Sequence, residues 1–217
     1  MGSAMMVSAG RRCGAAALLV PSLAALLWAA PACAAGDDAQ TIARAEKIVH
    51  AKCFICHGIE GETSSQAFPR LAGQHRQYVA RQLADFQSGR RKSSTMQPMV
   101  DGLTAEDFAA LGVYFESRPV EAHPVADEAL ARSGREIFVS GKPAAGVASC
   151  ASCHGMQGHG TDTLPRLAGQ HALYVENQIK AFTQLERTND NAVMQLIAVK
   201  LTDSEVKAVA AYISGLR

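Results

Sequence analysis

The apolar positions of this chain follow a helical rhythm. In residues 75–87 and 171–185 they recur at three- and four-residue spacing, the period of a helix with one buried face. Further helices are expected over 39–52 and 128–139. Two late helices announce themselves by their starts. Thr104 is followed three residues later by Asp107, and Thr202 by Glu205, the arrangement of a capping box. The first of these should end before Pro119, the second at Gly215. Residues 88–99 and 188–194 are polar and without strong period, and read as loops. Residues 118–127, with Pro119 and Pro124, read as an extended, semi-rigid linker. No stretch alternates as a strand does. The expected class is all-α.

The elements fall into two series because the sequence is duplicated. Pro69-Arg70-Leu71-Ala72-Gly73-Gln74-His75 returns letter for letter as Pro165-Arg166-Leu167-Ala168-Gly169-Gln170-His171. Tyr78, Val79 and Gln82 match Tyr174, Val175 and Gln178; Tyr114 matches Tyr212. The expected organisation is a targeting segment at 1–35, a first domain at 36–118, a linker at 119–127 and a second domain at 128–217. Units of this size bury too little apolar surface to be stable alone and need an internal staple.

The targeting segment has Arg11 and Arg12, an apolar run from Ala15 to Ala30 broken by Pro21, and an A-x-A site at Ala32-Cys33-Ala34. That run is short against the roughly 20 apolar residues of a membrane span, which favours cleavage over retention as an anchor. Cleavage would remove two of the six cysteines and shift the net charge from +1 to about −1. A near-neutral balance argues against nucleic acid as a partner. Aromatic residues make up only 6% of the chain. That is consistent with a prosthetic group supplying apolar surface.

The four remaining cysteines all lie in two pentapeptides, Cys53-Phe54-Ile55-Cys56-His57 and Cys150-Ala151-Ser152-Cys153-His154. C-x-x-C-H is the attachment signature of haem c. Two thiols one helical turn apart can each form a thioether to a porphyrin vinyl group, and the following imidazole can reach the iron. A zinc site would bring four ligands close together, whereas these pairs are nearly a hundred residues apart. A thioredoxin-like pair would need a βαβ setting. Disulfides would not require a histidine after each pair. The expectation is two covalent haem c groups, with His57 and His154 as iron ligands.

A six-coordinate iron needs a ligand opposite each histidine. Met96 stands seven residues before Leu103, and Met194 seven before Leu201, so the duplication pairs these two sulfurs. They are the expected sixth ligands. Met99 is the competitor in the first half, and bis-histidine ligation through His75 and His171 is a second alternative. A thioether ligand raises the potential relative to a second histidine. With both axial positions filled, no iron site is left for substrate, and no catalytic residue is assigned.

Two C-x-x-C-H motifs, each followed by P-R-L-A-G-Q-H, a late methionine and a helix opening with L-T, resemble the cytochrome c4 family over essentially the whole mature chain. The resemblance implies two tandem cytochrome c-like domains, each wrapped around one haem. It implies that Pro69 and Pro165 offer their carbonyls to the proximal imidazoles, and that Leu71 and Leu167 pack on the haems. First and last helices of each domain should cross at small residues, Ala45 near Tyr114 and Gly134 near Tyr212. The implied function is a monomeric periplasmic electron carrier between a quinol-cytochrome c reductase and a terminal oxidase. Peripheral membrane association stays open. The alternatives are the electron-accepting subunit of a periplasmic dehydrogenase and, further off, a dihaem peroxidase.

Overall fold

The computed structural model describes residues 34–217, with side chains from residue 39 onward. The expected targeting segment lies outside the described residues, except that the backbone of Ala34 and Ala35 begins the first helix. Among the described residues every named element is helical, and no helix is long and apolar enough to cross a membrane.

The first half runs α1 (Ala34–Ile48), α2 (Phe54–His57), α3 (Arg76–Gln87), α4 (Met96–Val100) and α5 (Ala105–Glu116). The second repeats it as α6 (Glu128–Ser140), α7 (Ala151–His154), α8 (Ala172–Thr183), α9 (Val193–Ala198) and α10 (Asp203–Gly215). Both capping boxes form as expected, with Thr104 and Thr202 each accepting from the backbone three residues on.

Two expectations need correction. The first helix does not run unbroken to Lys52. A π-helical turn, Val49–Cys53, joins α1 to α2 and brings the chain into the cysteine pair; such wide turns are rare and cluster at functional sites. The second half instead makes this approach through a longer loop pinned by Lys142 and Val147. The distal segments are not wholly loops, since Met96 and Met194 sit in the short helices α4 and α9. The closest helix crossing also differs between halves. Gly134 of α6 lies so near α10 that a Cβ there would stand 1.9 Å from the Ala208 carbonyl oxygen, one turn before Tyr212. In the first half the tight crossing is α5 on α3, where a Cβ on Gly112 would stand 2.4 Å from the Arg76 carbonyl oxygen. Ala45 and Tyr114 do meet in the first core, both fully buried.

The halves join through reciprocal contacts, the mark of a self-complementary, two-fold interface. Gln74 accepts from the Arg166 amide (2.8 Å) and donates to its carbonyl (2.9 Å). Gln170 does the same with Arg70, at 2.9 and 3.0 Å. His75 donates to the His159 carbonyl and His171 to the Thr63 carbonyl, both at 2.7 Å. Deeper in, Arg91 reaches Tyr174 and Gln178, while Arg187 reaches Tyr78 and Gln82. Each of these guanidiniums lies over a phenylalanine of its own half, Phe86 or Phe182, at 4.6 Å. The linker is docked as well: His123 meets Glu62 at 3.2 Å, and Val120 covers Gly73.

Candidate functional site

Each site is built from a short helix and the loop that follows it. In the first half, α2 carries Cys56 and His57, with Cys53 at its N-cap, and ends at Gly58, which turns the chain away with φ of 73°. In the second, α7 ends at Gly155 with φ of 80°. The loop then returns so that Pro69 O lies 3.0 Å from His57 Nδ1, and Pro165 O 3.0 Å from His154 Nδ1. A carbonyl can only accept, so Nδ1 carries the proton in both rings. The lone pair is therefore on Nε2, which has no hydrogen-bond partner among the described residues. Both rings are buried. Burial pushes their pKa values down, against a smaller upward pull from the proline carbonyls. A neutral, oriented imidazole with a free Nε2 is the donor that a haem iron requires.

The thiols fit the same group. Cys53, Cys56, Cys150 and Cys153 are all free, with no disulfide among them. Burial pushes the Cys53 and Cys150 thiols up to about 11. Unpaired thiols flanking an oriented imidazole suit covalent attachment to a porphyrin.

Leu71 packs against the first core and Leu167 against the second. Met96 packs on the cluster of Phe86, Val100 and Phe108, and Met194 on the second core. Neither sulfur takes part in a hydrogen bond. Met99 is exposed, at 38%, and so is Met156, at 53%. His75 and His171 do not fit as iron ligands, because each spends its Nε2 on a carbonyl of the opposite half.

Gln74, Gln170, Arg91 and Arg187 were missed as interface residues. The signal available in the sequence is that these polar residues recur at equivalent positions in both copies.

The cytochrome c family model matches the chain twice, at residues 42–118 and 134–217. The chain is 38% identical to cytochrome c4 of Pseudomonas aeruginosa, over 92% of this chain and 98% of that protein. It belongs to the cytochrome c4 family. A crystal structure of reduced recombinant cytochrome c4 from Pseudomonas stutzeri superposes with a TM-score of 0.76 at 35% identity, covering 81% of this chain and 97% of that one. A thiosulfate dehydrogenase electron acceptor of Thiomonas intermedia is 34% identical, over 91% of this chain and 89% of that protein. Like other cytochrome c4 proteins, the chain is a dihaem electron carrier with two tandem cytochrome c domains. Its two haem c groups are held covalently by Cys53 and Cys56, and by Cys150 and Cys153.

Proposed function

We propose that this cytochrome c4 carries electrons in the periplasm from a quinol-cytochrome c reductase to a terminal oxidase. The supporting observation is the pair of equivalent buried imidazoles, each with Nδ1 held by a proline carbonyl and Nε2 free. When bound, each haem c supplies a one-electron couple between ferrous and ferric iron. The residues around it keep that exchange free of bond rearrangement. His57 and His154 would supply imidazole nitrogen to the iron, and Met96 and Met194 would supply thioether sulfur. Pro69 and Pro165 fix ring orientation, and Leu71 and Leu167 exclude water from the ring edge. In this reading residues 1–35 are removed on export, and the domains span 36–118 and 128–217 about the linker 119–127.

The test uses the exported holoprotein. Its oxidised form should show the weak near-infrared sulfur-to-iron band, and Met96→Ala or Met194→Ala should each remove half of it. Retention of the full band in both variants refutes the ligand set. Quinol-cytochrome c reductase should reduce the protein and a terminal oxidase should reoxidise it.

A second reading has a specific observation behind it, the relative named as an electron acceptor of thiosulfate dehydrogenase. On that reading the partner is a periplasmic dehydrogenase. Stable co-purification with such an enzyme, together with slow reduction by the quinol-oxidising complex, would decide for it.

A further inference from the structure

Among the described residues, every non-glycine residue with positive φ lies in one segment, the connection from α8 to α9. Leu185 stands at 62°, Asn191 at 55° and Ala192 at 65°. A left-handed backbone crowds the Cβ of an L residue, least for asparagine and more for leucine and alanine. The first half has no such residue between α3 and α4. Its equivalent of Leu185 is Gly89, at φ of 75°. The hydrogen bonds fix that equivalence: the Gly89 amide donates to Phe86 and the Leu185 amide to Phe182, both at 3.3 Å. The second connection is also longer. Met96 follows Arg91 by five positions, whereas Met194 follows Arg187 by seven.

Strain of this kind persists only where both ends are held. At one end Arg187 donates to Asn189 (3.1 Å), and Asn189 donates to Asp85 (2.6 Å) and Gln82 (3.0 Å) of the first half. At the other end Asp190 Oδ2 accepts from the Met194 amide (2.5 Å) and the Gln195 amide (3.3 Å). Its Oδ1 is buried without a hydrogen-bond partner. In the first half the Met96 amide donates to an ordinary hydroxyl, Ser93 Oγ at 3.1 Å. One methionine segment is relaxed. The other holds left-handed Asn191 and Ala192 between an interface anchor at Asn189 and the Asp190 carboxylate's bonds to α9.

We infer that the sixth iron position of the second haem is the labile one, where a small neutral nitrogen donor such as imidazole displaces Met194 before Met96 yields in the first half. This rests on the reading of Met96 and Met194 as sixth ligands. In the exchange the Met194 sulfur–iron bond breaks and a nitrogen–iron bond forms through the imidazole lone pair. No electron or proton is transferred. Release of Met194 frees Asn191 and Ala192, which lie between the Asn189 anchor and α9, to leave the left-handed region, which tips the exchange toward the second half.

The experiment is an imidazole titration of the oxidised holoprotein, followed by the near-infrared sulfur-to-iron band. Two phases of equal amplitude are expected. Met194→Ala, before any imidazole, settles the ligand reading by removing half the band. In that variant only the high-concentration phase should remain. Asn191→Gly combined with Ala192→Gly should move the low-concentration phase up about fivefold or more, the factor carried by relief of one strained residue. The inference is overturned if the ligand reading holds but the wild type loses its band in one phase or not at all. It is equally overturned if the glycine pair leaves both phases in place.

Discussion

His57 and His154 each present a free Nε2 because a carbonyl one loop away decides which nitrogen holds the proton. That residue-scale device is the same in both halves, but the charge beside it is not. Arg70, next to Pro69, pairs with Glu62 at 3.1 Å. Arg166, next to Pro165, has no carboxylate partner among the described residues; the Nε of both arginines is buried without a hydrogen bond. His159 stands where the first half has Glu62. A positive charge near the haem favours ferrous iron. Glu62→Gln should therefore uncover Arg70 and raise the midpoint potential of the first haem by tens of millivolts, about 59 mV being a tenfold change in a one-electron ratio. Potentiometric titration of the two haems checks this, and an unchanged first potential would count against it. The attachment cysteines could be read from the sequence because thioether spacing permits little else. The pairing of Glu62 with Arg70 could not, since it depends on how the loop folds back.

Helix ends and crossings set stability at the next scale up. Asp107 is held below its usual range chiefly by a hydrogen bond from Arg44, and then by the Thr104 amide. Glu205 is held down likewise by Lys142 and the Thr202 amide. A depressed carboxylate stabilises the fold above its unfolded pKa and loses that contribution as pH falls through the folded value. Thermal midpoints should thus drop below about pH 4, starting from the unfolded values of 3.8 and 4.5. Thr104→Ala should cost about 1 kcal/mol at neutral pH. Gly134→Ala should cost more, about 1–3 kcal/mol or above, because its Cβ would collide with the Ala208 backbone and not with a movable side chain. Calorimetry of the holoprotein measures both, and a neutral Gly134→Ala would mean that α6 and α10 are not so closely packed. The capping boxes were legible because their hydrogen bonds are local. The location of the closest crossing was not. It moves from α6 on α10 to α3 on α5 according to whether the small residue is Gly134 or Gly112, and only the packed helices reveal which contact each glycine serves.

At the scale of the described molecule, the seven-residue repeat itself helps join the two halves. The motif reads as part of each haem site, yet Gln74 and Gln170 bind the opposite half, each satisfying one amide and one carbonyl. A hydrogen bond is worth about 0.5–1.5 kcal/mol net, and more when its loss strands a buried partner. Gln74→Ala with Gln170→Ala should therefore loosen the halves while each keeps its haem. Faster proteolysis within residues 119–127, with an unchanged haem spectrum, is the expected result. Equal resistance to protease would show that the arginine–tyrosine contacts suffice alone.

By itself the sequence determined the helices, the duplication, the two attachment motifs and the cofactor they demand. Those features rest on short-range spacing: one turn between thiols, three residues between cap and partner, three or four between apolar positions. Only the tertiary structure decided which polar residues of the repeat face the other half, that His75 and His171 serve the interface and not iron, and that backbone strain gathers beside Met194. Each of these depends on contacts between segments distant in the chain. A repeated residue looks the same in sequence whether its counterpart lies within its own half or across the two-fold.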